Sequence, residues 1–419
     1  MGRVIFQNAN LVDGENPPRP GSTVVVEGER ITGVTAAGHG KPSTPADRVI
    51  DLAGKTIMPG MILCHFHAAY DNVGTWGGPI DLQHPPTYLA MLAARNARAL
   101  LMSGYTGAVG AGTAHNIDSS LRDAIEAGVV EGPRIMPAGR DLVTTGNLID
   151  STPWWWQVGL EGVARPCDGP DAFRQAVREE IKRGAEIIKL YPTGGHGLPW
   201  PSDRMAIGFD EMKSAADAAH ERGKKIRGHI ASKRGILMGI EAGLDVIDHA
   251  DRMDGECISA ILEADAFVVP SIYFLFRLME DAKARGEWDQ PRWRHVEEVF
   301  EQMCSILPEA NAAGVKLLLG DDFGTASMPH GTYARELEVY VEHGGLSPLE
   351  VIRWATRNGA ELMGMSDELG AIRENMLADL IVVDGDPTVD IAVLQEPARL
   401  AAIMKGGRFV KDDLDAPHG

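Results

Sequence analysis

The sequence predicts an α/β fold: a (β/α)8 TIM-type barrel carrying a small discontinuous β-sandwich domain formed by both chain ends. A repeated beat of short apolar strand, loop and amphipathic helix runs through the middle of the chain. β-Prone runs split by turn residues occupy the two ends. The length of 419 residues suits one large barrel plus an appendage.

The N-terminal runs Val4 to Asn8, Val24 to Glu27 and Ile31 to Val34 are separated by Gly and Pro clusters, with Gly28-Glu29-Arg30 reading as a hairpin turn. The expected barrel strands cover residues 56–64, 105–109, 134–137, 186–190, 225–229, 246–249, 267–270 and 315–320. Helical patterns fall between them, at 171–183, 209–222, 233–242 and 294–313, the last with a possible break near Pro308. Such alternation requires parallel strands joined by right-handed crossovers. Eight of them can close into a barrel whose chemistry sits at the C-terminal strand ends. At the tail, 379–383 and 402–409 are again β-prone, with a hairpin turn at Lys405-Gly406-Gly407-Arg408. The expected division is a composite β-domain of residues 1–57 and 370–419 and a barrel of residues 58–369.

The formal net charge is -19, from 59 acidic and 40 basic residues. Such a surface repels polyanions, which excludes nucleic acid as a partner and leaves a small-molecule substrate. No stretch reaches the ~18 apolar residues of a membrane span, and the start lacks the pattern of a secretory signal. Cys64, Cys167, Cys257 and Cys304 lie far apart with no CxxC spacing. They are read as free thiols of a cytoplasmic protein.

The first chemical signal is Cys64-His65-Phe66-His67. Alternate side chains of a strand share a face, so His65 and His67 point together and can grip one metal, while Cys64 turns away. Lys189 ends the apolar run Ile187-Ile188-Lys189-Leu190, where a bare cation is costly to bury. Its amine either reaches solvent, is paired, or reacts with carbon dioxide to give a carbamate able to bridge two metals. His229 and His249 fall at two further strand ends, and Asp321-Asp322 follows the Leu317-Leu318-Leu319 strand. Five separate segments thus bring ligand-type residues to one end of a barrel.

That pattern resembles the amidohydrolase superfamily, in particular its binuclear members with a carboxylated lysine and the imidazolonepropionase-like and prolidase-like amidohydrolases. The resemblance covers essentially the whole chain. It includes Ala355-Thr356-Arg357-Asn358-Gly359-Ala360-Glu361-Leu362-Met363-Gly364 and Leu369-Gly370-Ala371-Ile372. It extends through Ala378-Asp379-Leu380-Ile381-Val382-Val383-Asp384-Gly385-Asp386-Pro387 and Met404-Lys405-Gly406-Gly407-Arg408. The resemblance implies a first metal held by His65, His67 and Asp322, and a second held by His229 and His249. Lys189, carboxylated on N6, and a hydroxide would bridge the two divalent ions, with zinc expected from the imidazole-rich ligation and cobalt, manganese or nickel also accepted. Asp322 is chosen over Asp321 because the family usually has Gly-Thr-Asp at this point. By resemblance, too, the chain is expected to be a homo-oligomer.

The expected reaction is hydrolysis of an amide-type C–N bond in an N-acyl amino acid, dipeptide, aryl amide or cyclic amide, with Asp322 as proton shuttle. A lactone or carbamate is an alternative substrate. Candidate substrate contacts are Tyr191, His196, Tyr273 and Arg140, with Arg227 and Arg277 as further arginines able to meet a carboxylate. Trp154-Trp155-Trp156 could wall the site or form a subunit contact. Two departures from the family concern Leu63, where an acid is common, and Thr106-Gly107-Ala108-Val109-Gly110-Ala111-Gly112, where an Arg-Asp pair is common. A mononuclear deaminase on the same barrel is the rival reading. It would carry a His-x-x-Glu arrangement after strand five, where this chain has His229-Ile230-Ala231-Ser232. A non-catalytic scaffold would have lost ligands that are all present here.

Overall fold

A computed structural model of the chain describes residues 2–36, 44–73, 84–150, 162–197 and 200–414. Trp154-Trp155-Trp156 lies outside the described residues. The fold is α/β. Seven strands form one parallel sheet, from Ala164–Pro166 and Asp141–Val143 through Ile187–Leu190, Lys225–Ile230, Val246–His249 and Phe267–Val269 to Lys316–Leu317. Met61–Phe66, Tyr105–Gly110 and Arg134–Met136 form a second parallel sheet of three.

Hydrogen bonds join the two sheets at both seams. Glu186 N donates to Pro137 O at 2.8 Å, and Cys64 N donates to Leu319 O at 2.7 Å. Strands buried on both faces read as apolar runs, which is why Ile187-Ile188 and Val246-Ile247 were legible as strands. Each expected strand has a counterpart, with one correction. The single strand expected over 56–64 is two strands, because Thr56–Pro59 pairs with Leu380–Val383 in a different sheet. The chain changes sheets at Gly60, where a Cβ would sit 2.2 Å from the Thr106 hydroxyl oxygen. Only a glycine fits that crossing.

Both chain ends meet in one sheet of eight strands, in which Val4–Leu11 is paired by Arg19–Glu27, Arg48–Asp51 and Thr56–Pro59. Hydrogen bonding is continuous across all eight, where the sequence suggested a sandwich. The first strand turns at Asn8 (φ 53°), so its two halves serve different partners on one edge. Phe6, Val24, Val26, Leu380, Val382 and Met404 form a cluster on one face. Ile381, Val383 and Ile403 join the main core on the other. The helix Pro291–Ala313 runs unbroken through Pro308, where the sequence leaves a break open. Lys233–Ala242 begins and ends as expected, between the Ser232 cap, whose side chain accepts from Gly235 N, and left-handed Gly243. Among the described residues no helix is long and apolar enough to cross a membrane.

Candidate metal centre

The strand Met61–Phe66 delivers His65, and His67 follows one residue past its end. Their Nε2 atoms lie 3.2 Å apart, and Asp322 Oδ1 lies 3.1 Å from one and 3.2 Å from the other. Asp322 arrives from a segment 255 residues away in the chain. Three donor atoms thus enclose one point. Donors around a tetrahedral zinc at about 2.0–2.1 Å would be separated by about 3.3 Å, so this triangle has the dimensions of a ligand set. Cys64 faces the other way, against the helix carrying Gly359, and burial pushes its thiol up to about 12.

The second nitrogen of each imidazole is oriented from behind. His67 Nδ1 lies 3.0 Å from the Gly112 carbonyl oxygen, which can only accept, so the ring hydrogen is on Nδ1 and the Nε2 lone pair faces Asp322. Tyr70 stacks flat on the His67 ring at 4.0 Å. His65 Nδ1 lies 3.5 Å from Asp248 Oδ1 and 3.2 Å from Arg227 Nη2. Burial lowers the His67 pKa below that of an ordinary histidine. Burial would raise Asp322, but the side-chain contacts with His65 and His67 hold it well below the usual carboxylate range.

His229 and His249 come from neighbouring strands, and their rings meet at 4.4 Å. The His249 ring is also 5.2 Å from that of His65, and one donor atom each of His65, His249 and Asp322 falls within 4.8 Å of the others. Burial first, then positive neighbours, lowers both histidines well below the ordinary value, so they stand as neutral imidazoles. Among the described residues, His229 Nε2 and His249 Nδ1 are buried with no hydrogen-bond partner. Buried polar atoms left without partners are rare in folded proteins and call for an ion, a water or a ligand. Neutral imidazoles and an ionised carboxylate are the protonation states that bind cations. The residues present therefore fit divalent metal.

Lys189 is 2% exposed, and its Nζ lies 2.6 Å from Asp248 Oδ2. Asp248 also ion-pairs with fully buried Arg227, whose Nη1 donates to the carbonyls of Cys64 and Gly110. Sequence reading missed Asp248. Strict alternation would turn Asp248 inward and His249 outward, yet both reach the interior, because His249 leaves the strand with φ 72° and Ala250 with φ 55°. His196 (φ 54°) and Ser271 (φ 56°) share that left-handed conformation. Such strain in non-glycine residues gathers at functional sites, and here His249 ends one predicted strand while Ala250 and Ser271 directly follow two.

The two adjacent acids are separated by geometry. Asp321 is fully buried and spends its oxygens on the backbone N–H groups of Asp322 and Phe274, while burial, Glu336 and Asp322 push its pKa well up. Among the expected substrate contacts, Tyr191 is brought in, stacked on His229 at 3.9 Å. His196 is brought in as well, stacked on His249 at 3.9 Å. Two others are not. Tyr273 packs against Phe323 and Phe276 and lines a separate cavity with Arg335 and Leu394. Arg140 is 3% exposed and clasped by buried Glu180, which accepts from its Nε, Nη2 and backbone N. Arg227 is consumed by Asp248, and Arg277 pairs with Asp281 on its own helix.

This parallel α/β fold, with histidines and carboxylates convergent at its strand ends, defines a hydrolase-type site. Comparison with known proteins agrees. The amidohydrolase family model matches residues 56–410. An ochratoxinase of Aspergillus niger is 30% identical over 389 residues, covering 87% of this chain and 77% of that protein. The solved structure of a prolidase complexed with N-methylphosphonate-L-proline is similar at TM-score 0.86 and 31% identity, covering 98% of this chain and 100% of the other. A Xaa-Pro dipeptidase with bound methionine in its active site is similar at TM-score 0.84 and 27% identity, covering 98% and 100%. The chain belongs to the amidohydrolase family and is a hydrolase of amide-type C–N bonds.

Proposed function

We propose that the cluster holds two divalent cations, zinc being favoured by the imidazole-rich donors, and that the chain uses them to hydrolyse a small-molecule amide. His65, His67 and Asp322 would hold the first ion, and His229 and His249 the second. Lys189, carboxylated on N6, would bridge them. The observation that carries this reading is the donor triangle of His65, His67 and Asp322 beside two further buried imidazoles with unpartnered nitrogens. When bound, such ions supply Lewis acidity toward the scissile carbonyl and a hydroxide at neutral pH.

Asp322 takes the proton of the attacking water and returns it to the leaving nitrogen. Its carboxylate is ionised, the form that can accept a proton. Tyr191, lying on the His229 ring, is assigned a hydrogen bond to the substrate carbonyl oxygen as charge grows there. Arg227 lies under the Lys189–Asp248 pair and offsets negative charge at that level. We further propose that the parallel strands close as a (β/α)8 barrel of residues 58–369, and that residues 1–57 and 370–419 form the composite β-domain. The two seam hydrogen bonds and the eight-stranded sheet support that division. Four free cysteines suit a cytoplasmic location.

A hydrolysis screen tests the activity. Zinc-loaded protein is expected to cleave at least one of N-acyl amino acids, dipeptides or aryl amides, to lose that activity on chelation, and to regain it with zinc. Turnover confined to lactones, or amide turnover indifferent to chelation, contradicts the proposal.

A further inference from the structure

His196 is 1% exposed, yet only one of its ring nitrogens is engaged. Asp251 clasps it twice. Its carboxylate accepts the backbone N–H of His196 at 2.8 Å through Oδ2 and lies 2.8 Å from Nδ1 through Oδ1. A carboxylate beside Nδ1 places a ring hydrogen there, so in the neutral ring Nε2 presents a bare lone pair. That atom has no partner among the described residues. The ring stacks on His249 at 3.9 Å, and one of its nitrogens falls within 4.8 Å of carboxylate oxygens of Asp321 and Asp322. The Asp251–His196 unit also lines a cavity of about 540 Å³ together with Trp200, Trp293, Val296 and Val299, with Arg292 and His295 among its other walls.

A desolvated acceptor is costly until it meets a donor. The surroundings decide which donor. Asp251 behind the ring and Asp322 beside it repel a substrate carboxylate, and a carbonyl oxygen offers no hydrogen. The scissile nitrogen sits next to Asp322, because Asp322 returns its proton there, and a secondary amide carries one N–H at that atom. We propose that His196 Nε2 accepts the N–H of a scissile secondary amide. The apolar part of the leaving amine then lies in the Trp200–Trp293 cavity. The site therefore prefers secondary amides with apolar amine groups over tertiary amides, in which no N–H exists. This rests on the amide-hydrolase reading of the cluster and narrows its substrate class, excluding prolyl amides as the favoured substrates.

The test uses matched pairs on the metal-loaded protein: N-acyl benzylamides against their N-methyl counterparts, and dipeptides ending in phenylalanine against those ending in proline. The expected result is a kcat/KM about 10- to 100-fold higher for each N–H member. In His196→Phe, which keeps a ring against His249 but has no acceptor, that ratio falls toward unity as the N–H substrate alone loses its advantage. A change in fold or metal content would lower both members of a pair together and leave their ratio intact. Equal kcat/KM within the pairs for the unmodified protein overturns the proposal without any variant, and leaves the amide reading standing. An undiminished ratio in a metal-replete His196→Phe protein also overturns it. Failure of the unmodified protein to cleave either member removes the amide reading itself, and the proposal with it.

Discussion

Asp322→Asn is expected to lower kcat about 10²- to 10⁴-fold, the range that general acid–base groups contribute, while much of the metal stays bound. The reason lies in the geometry. Asp322 Oδ1 is 3.1 and 3.2 Å from two imidazole nitrogens, and an amide oxygen can occupy the same point as a neutral donor. What the amide lacks is basicity. Its oxygen cannot take a proton from the attacking water at neutral pH, so binding persists and proton transfer fails. Steady-state kinetics with metal analysis on the same preparation separates these effects. Undiminished turnover in a metal-replete variant would remove Asp322 from the proton path.

The second large effect concerns stability. Asp248 has no exposed surface and neutralises two buried groups, Lys189 at 2.6 Å and the Arg227 guanidinium. Asp248→Ala leaves at least the Arg227 cation inside the fold with carbonyl partners alone. Removing one partner of a buried ion pair typically costs about 3–5 kcal/mol, because the remaining charge is then uncompensated. Urea unfolding of the metal-free protein is expected to show a loss of that order. A loss below about 1 kcal/mol would mean that solvent reaches this layer, and that the pair is no more than a surface contact.

Much of this organisation was legible before the structure. Short apolar runs such as Ile187-Ile188 and Val246-Ile247 announce strands because parallel strands covered on both faces have no polar side to show. His65 and His67 were readable as a pair because a strand repeats every two residues. Lys189 stood out because an apolar strand end is an expensive place for an amine. All six expected ligands lie in one region, from Asp322 at the histidine pair to Lys189 at Asp248, which itself reaches His65.

What was missed has a physical cause in each case. Asp248 and Asp251 act through contacts with residues 59 and 55 positions away in the chain, and no local pattern encodes such pairing. Strand parity could have pointed to Asp248, but it would have turned His249 outward, since the left-handed turn at His249 is set by the fold. Tyr273 looked like a site residue because it follows a strand end, and Arg140 because an arginine can meet a substrate carboxylate. Their side chains instead serve packing against Phe323 and an ion pair with Glu180. The break at Gly60 was hidden because two successive strands of different sheets read as one apolar run.

The most direct measurement is a crystal structure of protein grown with zinc and bicarbonate, with anomalous scattering at the zinc edge. Two anomalous peaks are expected, one among His65, His67 and Asp322 and one at His229 and His249, with a carboxylated Lys189 between them. A free amine at Lys189 with neither peak present, in protein exposed to both reagents, would contradict the account.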